Sequence, residues 1–334
     1  MRCDFNVPLG KRGEVLDGRR IKESIPTIKY LSGKGAKVII LSHLGRPKAK
    51  EKPKFDKKNS LKTATFFLEE VLGKKVIFLN DPLAEKTKEA IEKMEPGDVA
   101  LAENVRFYIG EEKNSDEFAK KLSQLGDLYV NDAFGVSHRA HASISGLPKY
   151  LPSAPGFLLE KEIRILRGML KNPAKPLVAI VGGAKVETKA KLINRISEIA
   201  DKVLIGGLIA REIKEKDIYI NYPKKIFPPI DEVEGKDIGP KTIKSFKEKI
   251  MASQTIFFNG VLGKTEDKRF VKGTEEILEA IIKSKAFSII GGGETVEFAN
   301  RLGLISKFNH VSTGGGAMVA FLAGEKLPGL EALK

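Results

Sequence analysis

The feature that most limits how this chain can fold is an alternation. Short apolar runs rich in β-branched residues recur, separated by stretches whose apolar residues fall at helical spacing. Strands are predicted at 38–41, 76–79, 99–103 and 128–131. A second set is predicted at 177–181, 203–205, 255–258, 288–290 and 310–312. Helical spacing is clear over 61–72, 115–125 and 275–282. Strands that are apolar throughout and alternate with helices build parallel sheets covered on both faces, so the fold class is α/β. The 334 residues make about two domains. The break is read at Pro152-Ser153-Ala154-Pro155-Gly156, and a helix at 157–170 follows, ending before Asn172-Pro173. This gives a first domain at 1–155, an interdomain helix at 156–172 and a second domain at 173–334, with the last residues packing back toward the first.

Several classes drop out early. The longest apolar runs, 38–41 and 177–181, are far short of the ~20 residues that span a bilayer, and no apolar signal segment opens the chain. The single cysteine, Cys3, cannot form an internal disulfide, which suits a reducing cytoplasm. Lys and Arg total 58 against 43 acidic residues, a net +15. That charge suits nucleic acid, an anionic surface or small polyanions. The basic residues are spread along the chain, and aromatic residues make up only 7%, so polyanionic small molecules fit best. The densest run, Lys48, Lys50, Lys52, Lys54, Lys57 and Lys58, reads as a solvated loop.

Glycine clusters follow predicted strands at four places in the second half: Gly182-Gly183-Ala184-Lys185, Gly206-Gly207, Gly291-Gly292-Gly293-Glu294-Thr295 and Thr313-Gly314-Gly315-Gly316-Ala317. Any one of them is consistent with a tight strand-to-helix turn. Together, at successive strand ends, they predict a nucleotide-sized anion site built on backbone N–H groups. The dinucleotide fingerprint fails, because Val296 stands where its last glycine belongs. Gly263-Lys264-Thr265 is not the end of a Walker A loop, because Phe258 occupies the first glycine position. Lys185 and Lys189, four apart, share one face of the helix that starts there.

The first half carries arginine and histidine instead. Arg20, His43-Leu44-Gly45-Arg46-Pro47, Arg106 and His138-Arg139-Ala140-His141 each follow or flank a predicted strand, and converging guanidinium forks define a small-anion pocket. His138-x-x-His141 is half a metal site by spacing, but no third ligand is evident. One anion site and one nucleotide site, on separate domains, suit phosphoryl transfer with domain closure.

These residues resemble the phosphoglycerate kinase family. The similarity lies in Asp4-Phe5-Asn6-Val7-Pro8, Ser42-His43-Leu44-Gly45-Arg46-Pro47, Glu103-Asn104-Val105-Arg106-Phe107, Asn131-Asp132-Ala133-Phe134-Gly135, Gly182-Gly183-Ala184-Lys185-Val186, Asp237-Ile238-Gly239-Pro240-Lys241-Thr242 and the closing Ser312 to Gly316 with Leu327-Pro328-Gly329. They stand in family order along nearly the whole chain. The resemblance implies two Rossmann-like domains, each a parallel sheet flanked by helices, joined by an interdomain helix and hinge. It implies in-line phosphoryl transfer between 1,3-bisphosphoglycerate and MgADP, giving 3-phosphoglycerate and MgATP, in a cytoplasmic monomer with no nucleic-acid or membrane partner. Asp4, Phe5, Asn6, His43, Leu44, Gly45, Arg46, Arg106 and Arg139 would hold the glycerate and its phosphate. Arg20, Lys185, Gly292 and Gly315 would serve the transferring group. Lys189, Gly207, Glu266, Gly292, Gly293, Glu294 and Thr295 would hold nucleotide, with Glu294 on Mg²⁺. The alternative is a degenerate member that binds phosphorylated ligands without turnover.

The departures from the family pattern make predictions too. Glu294 stands where the family has aspartate, and the segment from Phe258 to Gly263 lacks a Trp and a Pro of the usual pattern. The stretch 206–237 is some tens of residues shorter than the family's, which falls on the adenine pocket. The family places an interior strand ahead of Arg2-Cys3-Asp4-Phe5-Asn6. Its absence predicts unpaired backbone in the first sheet.

Overall fold

The computed structural model describes residues 1–51, 53, 55–184 and 186–333. The chain divides into two units, Met1–Ile163 with the residues from Lys326 onward, and Arg164–Glu325. The division falls inside the helix Phe157–Lys171.

The first unit holds five short parallel strands: β1 (Val38–Ile40), β2 (Ile77–Leu79), β3 (Val99–Ala102), β4 (Tyr129–Asn131) and β5 (Ser153–Pro155). β3 runs between β1 and β2, in register Val38 to Val99 and Ile77 to Ala100, while β4 pairs with β5. The predicted gap in this sheet is closed by residues 1–3. Arg2 bridges in parallel to both Leu41 and Asn131. Its N–H donates to Val130 O at 2.7 Å, and its carbonyl accepts from Asp132 N at 2.8 Å. Cys3 N donates to Leu41 O at 3.0 Å. The backbone there is paired, contrary to the expectation. The proline-rich stretch read as a break is itself the edge strand β5, where proline's missing donor does little harm.

All four residues of β3 are buried, as a strand covered on both faces requires. On one side the helix Arg19–Gly33 contributes Ile21, Ile25 and Ile28, spaced four and three apart. They pack with Leu61, Ala64, Leu68 and Leu72 in one cluster. Each such side chain stabilises the unit by about 1.5–3 kcal/mol on burial.

The second unit is one six-stranded parallel sheet, β6 (Leu177–Val181), β7 (Lys202–Ile205), β8 (Ile226–Phe227), β11 (Thr255–Asn259), β12 (Phe287–Gly291) and β13 (His310–Val311). A small antiparallel pair, β9 (Glu232–Val233) and β10 (Asp237–Ile238), stands apart from it. The spatial order is β13-β12-β11-β6-β7-β8. The chain fills one half of the sheet and returns to fill the other, so the order reverses between β6 and β11. Ligands of such sheets bind outside the carboxyl ends of the strands at that reversal. Every predicted strand is present to within about a residue, and the central ones, β3, β6 and β11, are buried along their whole length. The short β8 and the β9–β10 pair carry no such signal and were not anticipated.

Candidate active site

In the first unit the functional side chains leave the carboxyl ends of the strands. His43 to Arg46 follow β1, Arg106 sits in the 3₁₀ turn Val105–Phe107 after β3, and His138, Arg139 and His141 follow β4. Arg20 departs from the expected strand-end position. It lies in the first turn of the helix Arg19–Gly33 and reaches back to the segment before it. Its Nη1 donates to Asn6 O at 2.8 Å and lies 3.4 Å from Asp4 Oδ2. Asn6 Oδ1 accepts from Gly45 N at 2.8 Å, and Arg106 Nη1 donates to Gly45 O at 3.0 Å. These bonds lock the loop after β1 to the N-terminal segment.

Burial pushes the His43 pKa well below its ordinary value, and the guanidinium groups of Arg2, Arg106, Arg20 and Arg139 push it further. Its Nδ1 accepts from Arg2 Nη2 at 3.2 Å, which leaves the proton of the neutral ring on Nε2. His141 behaves alike, lowered to about 3 by burial and then by Arg106, Arg139 and Arg2. Burial also lowers Arg106 to about 10, with the Arg139 charge next in effect. Arg139 Nε is buried with no hydrogen-bond partner among the described residues, as are His138 Nδ1 and His141 Nδ1, whereas Arg106 Nε lies 3.3 Å from Glu112 Oε1. A buried guanidinium nitrogen without an acceptor, beside several other cations, suits an anion.

Phe5 and Leu44, expected at the substrate, have side chains in the core. What they offer a ligand is backbone. Arg46 is exposed at the edge of the cluster. Arg2, which the sequence does not single out, is fully buried and donates to Ser143 Oγ at 2.8 Å through Nε. Its position two residues before Asp4 in the same motif was the available signal. Ser143 in turn is held by Glu111, whose Oε1 accepts from its hydroxyl at 2.6 Å. Among the described residues no cluster of three His, Cys, Asp or Glu could hold a metal.

In the second unit Gly207, Glu266 and Glu294 line one cleft of about 320 Å³, together with Gly183, Ala184 and the loop 261–264 after β11. Gly293, Glu294 and Thr295 open the helix Gly293–Arg301, whose first-turn N–H groups have no acceptor within the helix. Gly292 caps it at φ +100°, a conformation only glycine adopts readily. A Cβ on Gly315 would stand 2.8 Å from Gly292 Cα, so the loops after β12 and β13 meet backbone to backbone. Thr295 is buried, and its Oγ1 accepts from Gly260 N at 2.8 Å, tying the turn after β11 to this helix. Lys189 is buried with its ammonium on the carbonyl and side-chain oxygens of Asn259, at the end of β11. Lys185 lies outside the described residues. Glu294 is an exposed carboxylate in the cleft. One such group fits a Mg²⁺ ion that arrives on nucleotide phosphates, since that ion keeps several waters and takes one or two carboxylates.

Comparison with known proteins agrees with this geometry. The phosphoglycerate kinase family profile matches residues 1–221 and 215–325. This chain belongs to the phosphoglycerate kinase family. A phosphoglycerate kinase of Dictyoglomus turgidum is 44% identical over 380 aligned positions, covering 100% of this chain and 94% of the relative. One from Pseudothermotoga lettingae is 42% identical over 379 positions. The solved phosphoglycerate kinase of Pyrococcus horikoshii OT3 superposes with a TM-score of 0.85 at 32% identity, covering 99% of this chain and 94% of that one. That of Coxiella burnetii gives 0.82 at 33%, with the same coverage. An alignment of 380 positions over a chain of 334 leaves 46 without a counterpart here. The family match breaks at 215–221, inside the stretch read as shortened.

Proposed function

We propose that this chain catalyses reversible phosphoryl transfer between 1,3-bisphosphoglycerate and MgADP, yielding 3-phosphoglycerate and MgATP. The observation that carries the reading is the cluster of mutually felt cations Arg106 and Arg139 beside His138 and His141 in the first unit, where the buried Arg139 Nε has no acceptor among the described residues. A phosphorylated glycerate supplies the acceptor. Arg20, Asp4 and Asn6, tied to one another, orient the carboxyl end, with His43 Nε2–H and Arg46 beside them. Arg20 cancels charge on the transferring group, and Lys185 follows it.

In the reverse direction a carboxylate oxygen of 3-phosphoglycerate bonds to the γ-phosphorus as the bond to the β,γ-bridging oxygen breaks. ADP leaves with the electron pair. No side chain forms a covalent bond, so rate comes from positioning and charge cancellation in a site without water. The N–H groups of Gly292, Gly293, Glu294 and Gly315 hold nucleotide phosphate with Lys189, Gly207 lies under the base, and Glu266 takes the ribose hydroxyls. Glu294 holds the Mg²⁺ that neutralises the phosphates. Small molecules are the partners, and a cytoplasmic monomer suffices, since the half-sites of one chain supply both substrates' ligands.

The test is consumption of ATP on addition of 3-phosphoglycerate and Mg²⁺, read through a coupled NADH assay. Turnover lost in Arg139→Ala while ADP still binds supports the assignment. A folded protein that binds ADP and 3-phosphoglycerate yet never turns over is the degenerate binder instead.

A further inference from the structure

Asn104 is fully buried just after β3, and both polar atoms of its side chain are bonded. Its Oδ1 accepts from Arg106 N at 3.0 Å and so caps the 3₁₀ turn Val105–Phe107. Its Nδ2 donates to Leu44 O at 2.7 Å and to Asn59 O at 2.9 Å. A cap needs only the oxygen, which serine, threonine or aspartate would supply as well. The two donated bonds reach 60 and 45 residues back along the chain, and capping does not account for them.

What the two carbonyls share is a loop. Leu44 and Asn59 stand at the two ends of the stretch that carries Arg46. One amide group therefore clasps both ends of that loop, while its oxygen holds the turn that carries Arg106. The loop also lies along the turn: Lys50 N donates to Phe107 O at 3.0 Å and Ile109 N to Lys50 O at 3.2 Å. The Phe55 and Phe107 rings pack with their centres 5.3 Å apart.

Glu103, also buried, secures the same junction from behind. Its Oε1 accepts from Asn104 N at 2.7 Å and Leu61 N at 2.8 Å, and its Oε2 accepts from Ser60 Oγ at 2.6 Å. Arg46 is exposed, so its place at the site depends on the backbone that carries it. Arg106 Nη1 meanwhile donates to the carbonyl of the neighbouring Gly45 at 3.0 Å.

We propose that Asn104 is a positioning residue for 3-phosphoglycerate: it fixes the loop of Arg46 against the turn of Arg106, so that the two guanidinium groups meet one anion. Two protons and an acceptor on one planar group are what the junction requires, and a carboxylate or hydroxyl at 104 lacks the protons. Buried as it is, Asn104 acts through the two arginines and not on the ligand. The inference rests on the anion site proposed for the first unit.

The experiment is calorimetric titration of the full chain with 3-phosphoglycerate and with ADP. Asn104→Asp keeps the shape and the cap but loses both donated protons, and should weaken 3-phosphoglycerate binding about tenfold with ADP binding unchanged. Asn104→Ala, which adds no charge, should weaken it at least as much; a loss confined to Asn104→Asp would trace to the new carboxylate and overturn the inference. Leu68→Ala, deep in the cluster that packs on this sheet, gives the purely structural comparison. It should lower the melting temperature and leave 3-phosphoglycerate affinity within about twofold.

The deciding readout is coupling to Arg46. Arg46→Ala should cost about tenfold in the wild type and at most about threefold beside Asn104→Ala, because the guanidinium is already misplaced there. Additive losses overturn the inference. Should neither variant at 104 fold, Glu103→Gln carries the test: 3-phosphoglycerate binding about threefold weaker with ADP unchanged supports it, and unchanged binding of both overturns it. If Arg46→Ala and Arg106→Ala both leave wild-type 3-phosphoglycerate binding intact, the anion-site reading itself fails, and this inference with it.

Discussion

In the proposed function the two units meet their anions by different means. The first uses side chains: guanidinium and imidazole groups converge from separate strand ends, braced by Arg2, Ser143 and Glu111 behind them. The second relies mainly on backbone, offering helix-start N–H groups where glycines bring loops together. A side-chain site fits one shape of ligand and is damaged one residue at a time. A backbone site tolerates most side-chain changes but depends on the absence of a Cβ at a few positions.

That contrast sets the expected effects. Arg20→Ala should cost the most, lowering turnover by about 10²–10³, with ADP affinity unchanged by titration calorimetry. Equal losses in turnover and in ADP binding would remove Arg20 from the transferring group. Next, Gly315→Ala forces a Cβ against Gly292 Cα and should cost about 1–3 kcal/mol of stability. ADP binding should weaken about tenfold while 3-phosphoglycerate binding stays intact. Parallel losses of both ligands would mean that the glycine contact is not specific to the nucleotide half.

Acid should separate the units as well. His43 and His141 are held neutral in the folded state, His141 with a pKa of about 3, whereas an unfolded histidine titrates near 6.5. Their contribution is fully present above pH 6.5 and is lost as pH falls toward 3. Asp132 opposes this: burial raises it to about 6, so its proton favours the fold as pH drops from 6 toward 4. His138 is lowered as well, while burial raises Glu111 along with Asp132; the three imidazoles set the direction, so stability should fall between pH 7 and pH 5. The melting temperature should fall over that window, and His141→Gln should flatten the fall by about half. A melting temperature that rises on acidification contradicts the assignment. The smallest effect is expected at Glu112, half-exposed and 3.3 Å from Arg106 Nε. Glu112→Gln should strengthen 3-phosphoglycerate binding by at most about threefold in a titration.

The sequence spoke clearly where burial is complete. The wholly apolar 177–181, and 255–258 with Thr255 at its start, could be little else than central parallel strands. Ser153–Pro155 is an edge strand that carries prolines, and such a strand looks like a linker in the sequence. Ile226–Phe227 is too short to show a period. Arg106 and Arg139 stand out as motif residues, but the unpartnered Nε of Arg139 arises from packing that no spacing reveals. Arg2 went unrecognised as a brace because a fully buried arginine is rare and its partners, Ser42, His43 and Ser143, lie up to 141 residues away.

Residues 1–3 both complete the first sheet and deliver Arg2 to His43. Any local opening that peels this segment from β1 and β4 also unseats Asp4, Phe5 and Asn6. Structural protection and ligand occupancy are thereby linked: the amides of Arg2, Cys3 and Asp132 should exchange with solvent deuterium together, through one shared fluctuation. An anion seated among the arginines would slow all of them at once, so the innermost backbone of this sheet reports on a ligand that it does not touch.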